Sequence, residues 1–207
     1  MMNIVVLKYV LDFLLKNDAA EVYEEELYRN PMKFPKAEKT ESFSLTEDQE
    51  KAVGKISHSL EEGKKKTILL HGVTGSGKTE VYLRAAEKTL SLGKTVIMLV
   101  PEISLTPQLY AKFAERFGNK VAVIHSGLSA GERYDEWKKV KNGEAKIVLG
   151  ARSAVFIPLE NIGLIVIDEE QEHTYKSEMT PKYHARDVAR WRCAYHKAML
   201  LLCSATP

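Results

Sequence analysis

Residues 72–79 form a glycine-rich stretch that ends in a lysine and a threonine. The order is Gly72, Val73, Thr74, Gly75, Ser76, Gly77, Lys78 and Thr79, which is a full G-x-x-x-x-G-K-T. Glycines in such a loop let successive backbone N–H groups face phosphate oxygens, and the helix that follows adds its positive dipole. Lys78 is predicted to reach the β- and γ-phosphates of a bound nucleotide, and Thr79 to ligate Mg²⁺. The alternative is a Gly/Ser turn with a solvated lysine, which the strand before and the helix after disfavour.

A second group of chemical residues follows the apolar run at 164–167. Asp168, Glu169 and Glu170 come directly after it. Asp168 is predicted to hold Mg²⁺, and Glu169 to orient and deprotonate the water that attacks the γ-phosphate. A solvated acidic helix start is the alternative. Because a kinase needs no second acid after Asp168, the pair favours hydrolysis, with Lys78 and Glu169 as the catalytic residues.

Short apolar runs alternate with helical patterns from residue 43 onward. The strands and helices that these patterns predict must position the glycine-rich loop and the acidic residues. The predicted strands are 68–70, 96–100, 121–124, 146–149, 164–167 and 199–203, all buried. The predicted helices are 46–62, 78–92, 107–117 and 130–141, with Gly63 and Gly143 as stop signals. This alternation predicts an α/β fold, a parallel sheet covered by helices on both faces. Ligands bind such sheets at the carboxyl ends of the strands.

The first 42 residues follow a different pattern. Residues 4–15 place apolar side chains on one helical face, and 20–28 are typical of a strand or wing. A polar connector leads to a boundary near residue 43, so we expect two parts, 1–42 and 43–207. A helix and one strand bury little surface alone, so 1–42 are interpreted as the end of a domain that begins earlier.

Composition excludes several classes of protein. The 207 residues are 44% hydrophobic and 28% charged, enough apolar material for a folded core. The net charge of +2 neither indicates nor excludes a polyanionic partner. Cys193 and Cys203 are too few for a disulfide framework and are predicted to be buried thiols of a protein of the reducing cytoplasm. The apolar opening is interrupted by Lys8 and Asp12, which predicts neither a signal peptide nor a membrane span.

The ordered set of loops resembles the first, RecA-like motor lobe of superfamily 2 helicases. Within that superfamily the chain resembles the primosomal protein N′ family of replication-restart helicases over nearly all of 43–207. The strings that carry the resemblance are GVTGSGKTEVY (72–82), LVPEISLTPQ (99–108), HSGLS (125–129), GARSAVFIPL (150–159) and DEE (168–170). Residues 21–34, EVYEEELYRNPMKF, resemble that family's end of a winged-helix domain.

The resemblance implies an ATP- and Mg²⁺-dependent helicase, moving 3′ to 5′, that acts on forked and single-stranded DNA. It further implies other primosome proteins and a single-stranded-DNA-binding protein as partners, no membrane, a cytoplasmic location, and zinc only in a region outside this chain. Three rivals remain open: a superfamily 2 translocase of branch migration, a non-helicase P-loop ATPase that gates a partner protein, and a passive DNA-binding module.

The resemblance also implies DNA contacts and coupling residues. Thr106, Arg152 and Ser153 would touch the phosphate backbone of the tracked strand, and Ser204 and Thr206 would couple the nucleotide site to DNA. Two of these residues have structural alternatives. Thr106 is a good helix N-cap in any case, and Arg152 can pair with a carboxylate of the 168–170 loop.

Two glutamines are predicted near the nucleotide. Gln49 resembles the adenine-reading glutamine of many helicases, but it equally completes a capping box. Gln171 departs from the family, whose Walker B string ends in His. That histidine would link the nucleotide site to Ser204–Thr206. Gln can donate and accept hydrogen bonds but takes up no proton near neutral pH, so the departure bears on coupling.

Residues 173–197 carry six Lys or Arg against two Asp or Glu, with aromatic residues between them. Charge for phosphates and rings for bases are what contacts to single-stranded DNA require. By the resemblance, an aromatic-rich loop here senses DNA and signals to the ATP site. We assign Tyr175 and Tyr183 to that function, and Trp191 and Tyr195 to the core.

Overall fold

The computed structural model describes residues 4–21, 44–63 and 66–206. Within them, α-helices and strands alternate after residue 46, except that the fourth and fifth strands are joined by the short 3₁₀ helix Arg152–Phe156. The helices are α1 (Ile4–Lys16), α2 (Glu47–Glu61), α3 (Lys78–Ser91), α4 (Pro107–Phe117), α5 (Ala130–Lys141) and α6 (Ala185–His196). The strands are β1 (Thr67–His71), β2 (Thr95–Leu99), β3 (Val121–Ile124), β4 (Ile147–Gly150), β5 (Ile162–Ile167) and β6 (Met199–Ser204). All six predicted strands and the four predicted helices after residue 43 are confirmed, with ends shifted by a residue or two.

The six strands form one parallel sheet in the order β1-β6-β5-β2-β4-β3. Their carboxyl ends therefore meet at one edge. The strand before the glycine-rich loop, β1, lies next to β6, and β6 lies next to β5, whose end carries the acidic residues. Three loops that are distant in sequence are thereby adjacent in space.

Each face of the sheet is covered by helices. Along β2, Val96 and Met98 pack into a core with α2, α3 and α4, whereas Ile97 and Leu99 pack against α5 and α6 on the other side. This alternation follows from the two-residue repeat of a strand. The predicted α/β fold with both faces covered is confirmed.

Local sequence signals fix where the helices begin. Thr46 with Gln49, and Ser129 with Glu132, form reciprocal capping boxes at α2 and α5. Thr106 accepts a hydrogen bond from the backbone N–H of Leu109 and caps α4. Each cap satisfies backbone donors that a helix start leaves unpaired.

Two features differ from the sequence predictions. The strand β1 is only half buried, and Leu69 is 52% exposed, because β1 is an edge strand with one covered face. The predicted helix at 4–15 is confirmed as α1, but Tyr9 and Phe13 are exposed rather than packed.

No helix in the described ranges is long and apolar enough to span a bilayer. Cys193 and Cys203 are buried free thiols, as predicted.

Residues 22–43 lie outside the described residues. The predicted strand or wing at 20–28, the polar connector, and nearly all of the 21–34 stretch that resembles a winged-helix end fall there. The boundary near residue 43 and the division into 1–42 and 43–207 stay predictions.

Candidate functional site

The glycine-rich loop lies between β1 and α3 at the carboxyl edge of the sheet. Gly75 and Gly77 have φ of 81° and 79°, a left-handed conformation that favours glycine. A Cβ on Gly77 would lie 2.3 Å from Nε2 of Gln49, whose side chain would have to shift, so the left-handed backbone is the main reason for glycine at this position. The loop is anchored by the N–H of Gly72, which donates to the carbonyl oxygen of Ser204 on β6 at 3.1 Å.

Lys78 and Thr79 are the first two residues of α3. The ammonium group of Lys78 folds over the loop and donates to the carbonyl oxygens of Gly72 and Val73, the latter at 3.1 Å. A phosphate brought into the loop would offer the ammonium stronger, charged acceptors than these two carbonyls.

The acidic residues form a tight turn at the end of β5. Asp168 donates its N–H to Leu99 on β2, and Glu169, at φ 48°, donates its N–H to Oδ1 of Asp168 at 3.0 Å. Burial, together with the negative charge of Glu169, raises the pKa of Asp168 above its ordinary range. Glu170 is drawn away by an ion pair with Arg186 at 2.9 Å.

The two predicted Mg²⁺ ligands share a contact that sequence reasoning missed. The hydroxyl of Tyr82 lies 3.1 Å from Oγ1 of Thr79 and 3.3 Å from Oδ2 of Asp168. Tyr82 is 2% exposed, and burial raises its pKa well above the ordinary value, so the phenol keeps its proton. The available signal was its spacing, one helical turn after Thr79 on α3.

Tyr175 is a core residue, which corrects its assignment as a DNA-stacking side chain. The short 3₁₀ helix His173–Tyr175 turns the ring inward, leaving it 1% exposed. Its hydroxyl donates to the carbonyl oxygen of Asp168 at 2.6 Å and is 3.2 Å from that of Leu99. A ring with no exposed face cannot stack on a base, and the contact of Tyr175 with the nucleotide site runs through the backbone of Asp168.

The assignment of Trp191 and Tyr195 to the core is also wrong. They are 68% and 74% exposed on α6 and stack on each other, with ring centroids 5.7 Å apart. The face of α6 that packs on the sheet carries the small residues Ala185, Ala189 and Cys193 instead. Small side chains let the helix lie close to the strands and turn the large rings outward.

Gln171 bridges the acidic turn and the end of β6. Its Nε2 donates to Oε2 of Glu169 at 2.6 Å, and its Oε1 accepts from the hydroxyl of Ser204 at 2.9 Å. Thr206 donates its N–H to the same hydroxyl at 3.2 Å. The amide uses one end as a donor and the other as an acceptor, which is the hydrogen-bonding capacity the sequence predicts for it.

Gln49 completes the capping box, one of its two predicted roles, while the adenine-reading role stays a prediction. Its Oε1 accepts from the backbone N–H of Thr46 in the capping box at 2.9 Å, while its Nε2 donates to the carbonyl oxygen of Ser76 at 2.8 Å. The side chain therefore joins the start of α2 to the glycine-rich loop.

Arg152 lies in the loop after β4 and orders the segment that follows the acidic turn. Its guanidinium donates to the carbonyl oxygens of Thr174 and Lys176 and lies 5.7 Å from the ring centre of Tyr183. The proposed pairing of Arg152 with a carboxylate of the 168–170 loop is not the arrangement found. Ser153 beside it is exposed, and the ring of Tyr183 packs edge-on against Phe156.

A cleft of about 960 Å³ opens beside the glycine-rich loop. It brings together Gln49, Lys78, Thr79, Asp168 and Glu169. Thr106, Arg152, Ser153 and Tyr183 do not line it. The described residues contain no cluster of three or more His, Cys, Asp or Glu able to hold a metal ion. The oxygen donors of Thr79 and Asp168 suit Mg²⁺, which commonly takes one or two protein ligands and completes its shell with phosphates and water.

Comparison with known proteins gives a consistent result. Residues 46–207 match the DEAD/DEAH box helicase family. The replication restart protein PriA of Bacillus subtilis is 54% identical over 183 residues, which cover 88% of this chain and 23% of that protein. PriA of Synechocystis is 57% identical over 141 residues, covering 68% and 17%. The structure of RecG bound to a three-way DNA junction matches with a TM-score of 0.62 and 26% identity, over 80% of this chain and 21% of that one. The chain thus spans about a quarter or less of these relatives.

Proposed function

The chain belongs to the DEAD/DEAH box helicase family, and from that premise we propose that it is the ATP-binding motor lobe of a replication-restart DNA helicase. The observation that carries the proposal is the convergence of Lys78, Thr79, Asp168 and Glu169 on one cleft. The identity to PriA proteins supports the replication-restart assignment over other members of the family.

In the proposed reaction, the loop 72–77 and Lys78 hold the phosphates of ATP. The backbone N–H groups and the start of α3 supply positive dipoles, and the ammonium exchanges its two loop carbonyls for phosphate oxygens. Thr79 and Asp168 would hold Mg²⁺, which neutralises charge on the β- and γ-phosphates when bound. Gln49, which lines the cleft next to the loop, would contact the base.

Glu169 is the proposed general base. Its carboxylate lines the cleft and is oriented by Gln171 through a hydrogen bond of 2.6 Å. A carboxylate so held can accept a proton from the water that attacks the γ-phosphorus in line, while the bond to the β-phosphate oxygen breaks and ADP leaves.

Coupling to DNA is proposed to run along the carboxyl edge of the sheet. Gln171 joins Glu169 to Ser204 and, through Ser204, to Thr206. On the other side, Tyr175 joins the backbone of Asp168 to the segment that Arg152 holds. A shift in either segment would move the carboxylate of Glu169 or of Asp168, the two acidic residues proposed to act in hydrolysis.

The proposed DNA-contacting groups lie on loops at the same edge. Thr106 at the start of α4 and the exposed Ser153 offer hydroxyls to phosphates, and Tyr183 with Arg152 offers a ring and a charge. Arg152 has a second proposed role besides contacting DNA, because the same guanidinium holds the segment that carries Tyr183.

The remaining parts of the proposal concern a protein of the relatives' full length. They comprise residues 1–42 as the end of a winged-helix domain, 3′ to 5′ movement, forked DNA as substrate, partners among primosome and single-stranded-DNA-binding proteins, a zinc region elsewhere, and a cytoplasmic location.

The test is ATP hydrolysis by the full-length protein with forked, single-stranded and duplex DNA. A replication-restart helicase should be stimulated by forked and single-stranded DNA and should unwind with one polarity. Fork preference without polarity would favour a branch-migration translocase. Turnover that ignores DNA would indicate a P-loop ATPase of another kind, and loss of nucleotide binding would indicate a passive DNA-binding module.

A further inference from the structure

The hydroxyl of Tyr82 lies behind the nucleotide cleft rather than in it. The side chain is 2% exposed and does not line the cleft, whereas both groups it contacts, Thr79 and Asp168, do. Tyr82 therefore cannot touch a nucleotide or a cation directly. Any effect on the site must act through these two neighbours.

The chemistry of the three groups fixes the direction of their hydrogen bonds. An ionised carboxylate only accepts, so the phenol proton of Tyr82 goes to Oδ2 of Asp168, 3.3 Å away. The contact of 3.1 Å between the two hydroxyls is then made by Thr79 donating to the phenol oxygen. The order Thr79 to Tyr82 to Asp168 leaves the lone pairs of the Thr79 oxygen available to a cation.

We propose, on the basis of the function proposed above, that Tyr82 is a positioning residue for Mg²⁺. Its phenol holds the Thr79 hydroxyl and the Asp168 carboxylate in the orientation in which both can bind one cation. Tyr175 fixes the backbone of Asp168 through its carbonyl oxygen, so the carboxylate swings chiefly about its own side-chain torsions. The N–H of Glu169 and the phenol of Tyr82 restrain that remaining freedom, each at one carboxylate oxygen. Groups that orient metal ligands in this way are typically worth about 10- to 100-fold in metal affinity.

The experiment measures equilibrium binding of a fluorescent ADP to the 207-residue chain, once in saturating Mg²⁺ and once in excess EDTA, with a Mg²⁺ titration at fixed ADP. For Tyr82→Phe we expect Mg²⁺ affinity to fall about tenfold while ADP affinity in EDTA stays unchanged. Tyr134→Phe, which removes a hydroxyl from an exposed ring on α5, is the matched control and should change neither quantity.

Thr79→Val separates this inference from the proposed function. The variant should lose most of the Mg²⁺-dependent increment, which is the gain in ADP affinity in Mg²⁺ over that in EDTA. Adding Tyr82→Phe to Thr79→Val should cause little further loss of this increment. If the wild-type chain shows no Mg²⁺-dependent increment, the proposed nucleotide site itself is wrong, and the role of Tyr82 with it. If the increment is present and Thr79→Val removes it while Tyr82→Phe retains it, the site stands and the role of Tyr82 is refuted. Equal losses for Tyr82→Phe in Mg²⁺ and in EDTA would indicate a structural role and also refute it.

Discussion

Two side chains of the cleft are held in different ways. Asp168 is fixed at several atoms: its N–H, its carbonyl oxygen and both carboxylate oxygens have partners in the protein. Among the described residues, the hydrogen bonds of Lys78 go to carbonyls of the loop it serves. Asp168 is therefore pre-organised, whereas Lys78 can change acceptors when phosphate enters, at little cost.

Substitutions of Lys78 and of Glu169 should have separable effects in the full-length protein. Lys78→Ala should weaken ATP binding and abolish hydrolysis, because the loop loses its only formal positive charge. Glu169→Gln should retain ATP binding within a few-fold but reduce hydrolysis by about 10² to 10⁴, the usual contribution of a general base. Nucleotide titration and steady-state turnover measure the two effects separately. Near-normal turnover in Glu169→Gln would exclude Glu169 as the base.

Gln171 supports a prediction about pH. A glutamine at this bridge does not titrate, so the ratio of DNA-stimulated to DNA-free hydrolysis should not depend on this residue between pH 6 and 8. In Gln171→His the bridge would gain a proton as pH falls through about 6.5, the ordinary histidine value. We expect the stimulation ratio of that variant to change with a midpoint near that pH, relative to wild type.

Gln171→Leu is the control for this experiment, since it keeps the size of the side chain and removes both hydrogen bonds. It should lose stimulation at every pH without a midpoint. Full stimulation in Gln171→Leu would show that the bridge between Glu169 and Ser204 carries no coupling.

At the scale of elements, an ion-pair network joins α3 to α4. Arg116 on α4 contacts both oxygens of Glu80 at 2.8 Å and also binds Glu87, and Arg84 binds Glu80 from one turn along α3. Burial raises the pKa of Glu80, but hydrogen bonds from Arg116 and Arg84 outweigh it, so the pKa lies below the ordinary range. The helix that begins with Lys78 is thereby tied to the helix that begins after Thr106.

Removing Arg116 should therefore destabilise the fold in a pH-dependent way. A carboxylate with a lowered folded pKa stabilises the fold above its unfolded pKa, and this contribution is lost as pH falls through the folded value. Arg116→Met should cost about 1–3 kcal/mol in the free energy of unfolding at pH 7, and less in acid. Urea unfolding at pH 7 and in acid measures this, with Arg190→Met, at an exposed position of α6, as the control. A cost that does not shrink in acid would mean that lost packing, not charge, dominates.

Much of the element scale could be predicted from sequence because its signals are local. Caps such as Thr46 with Gln49, and the apolar runs, depend on neighbours within a few residues. The orientation of Tyr175 and Trp191 could not be predicted, since it depends on a 3₁₀ turn and on which face of α6 meets the sheet. The contact of Tyr82 with Asp168 could not be predicted for the same reason, because the two residues are 86 positions apart in sequence. Patterns give element types, whereas contacts between elements decide which ring is buried.

At the scale of the whole molecule, the parallel sheet gathers the loops, but the described residues give the cleft no arginine that is free of a carboxylate. Among the described residues, the arginines that line the cleft are Arg84 and Arg116, and both are paired with Glu80. Moving either arginine away from Glu80 toward a nucleotide would break the ion-pair network that joins α3 to α4. Phosphoryl transfer gains about 10³ to 10⁵ in rate from an arginine that stabilises charge on the transferring group.

The 207-residue chain should therefore bind nucleotide with Mg²⁺ but hydrolyse it about 10³ to 10⁵ times more slowly than the full-length protein, in which, by the proposed function, a second lobe supplies the arginine. Forked DNA should not restore the rate, because DNA contacts can reorient Glu169 but cannot add a positive charge at the γ-phosphate. Turnover of the chain with and without forked DNA tests this, and Lys78→Ala excludes a contaminating ATPase. Robust stimulated hydrolysis that Lys78→Ala abolishes would mean that this chain supplies its own arginine, and Arg84→Gln and Arg116→Gln would then identify which one leaves its carboxylate.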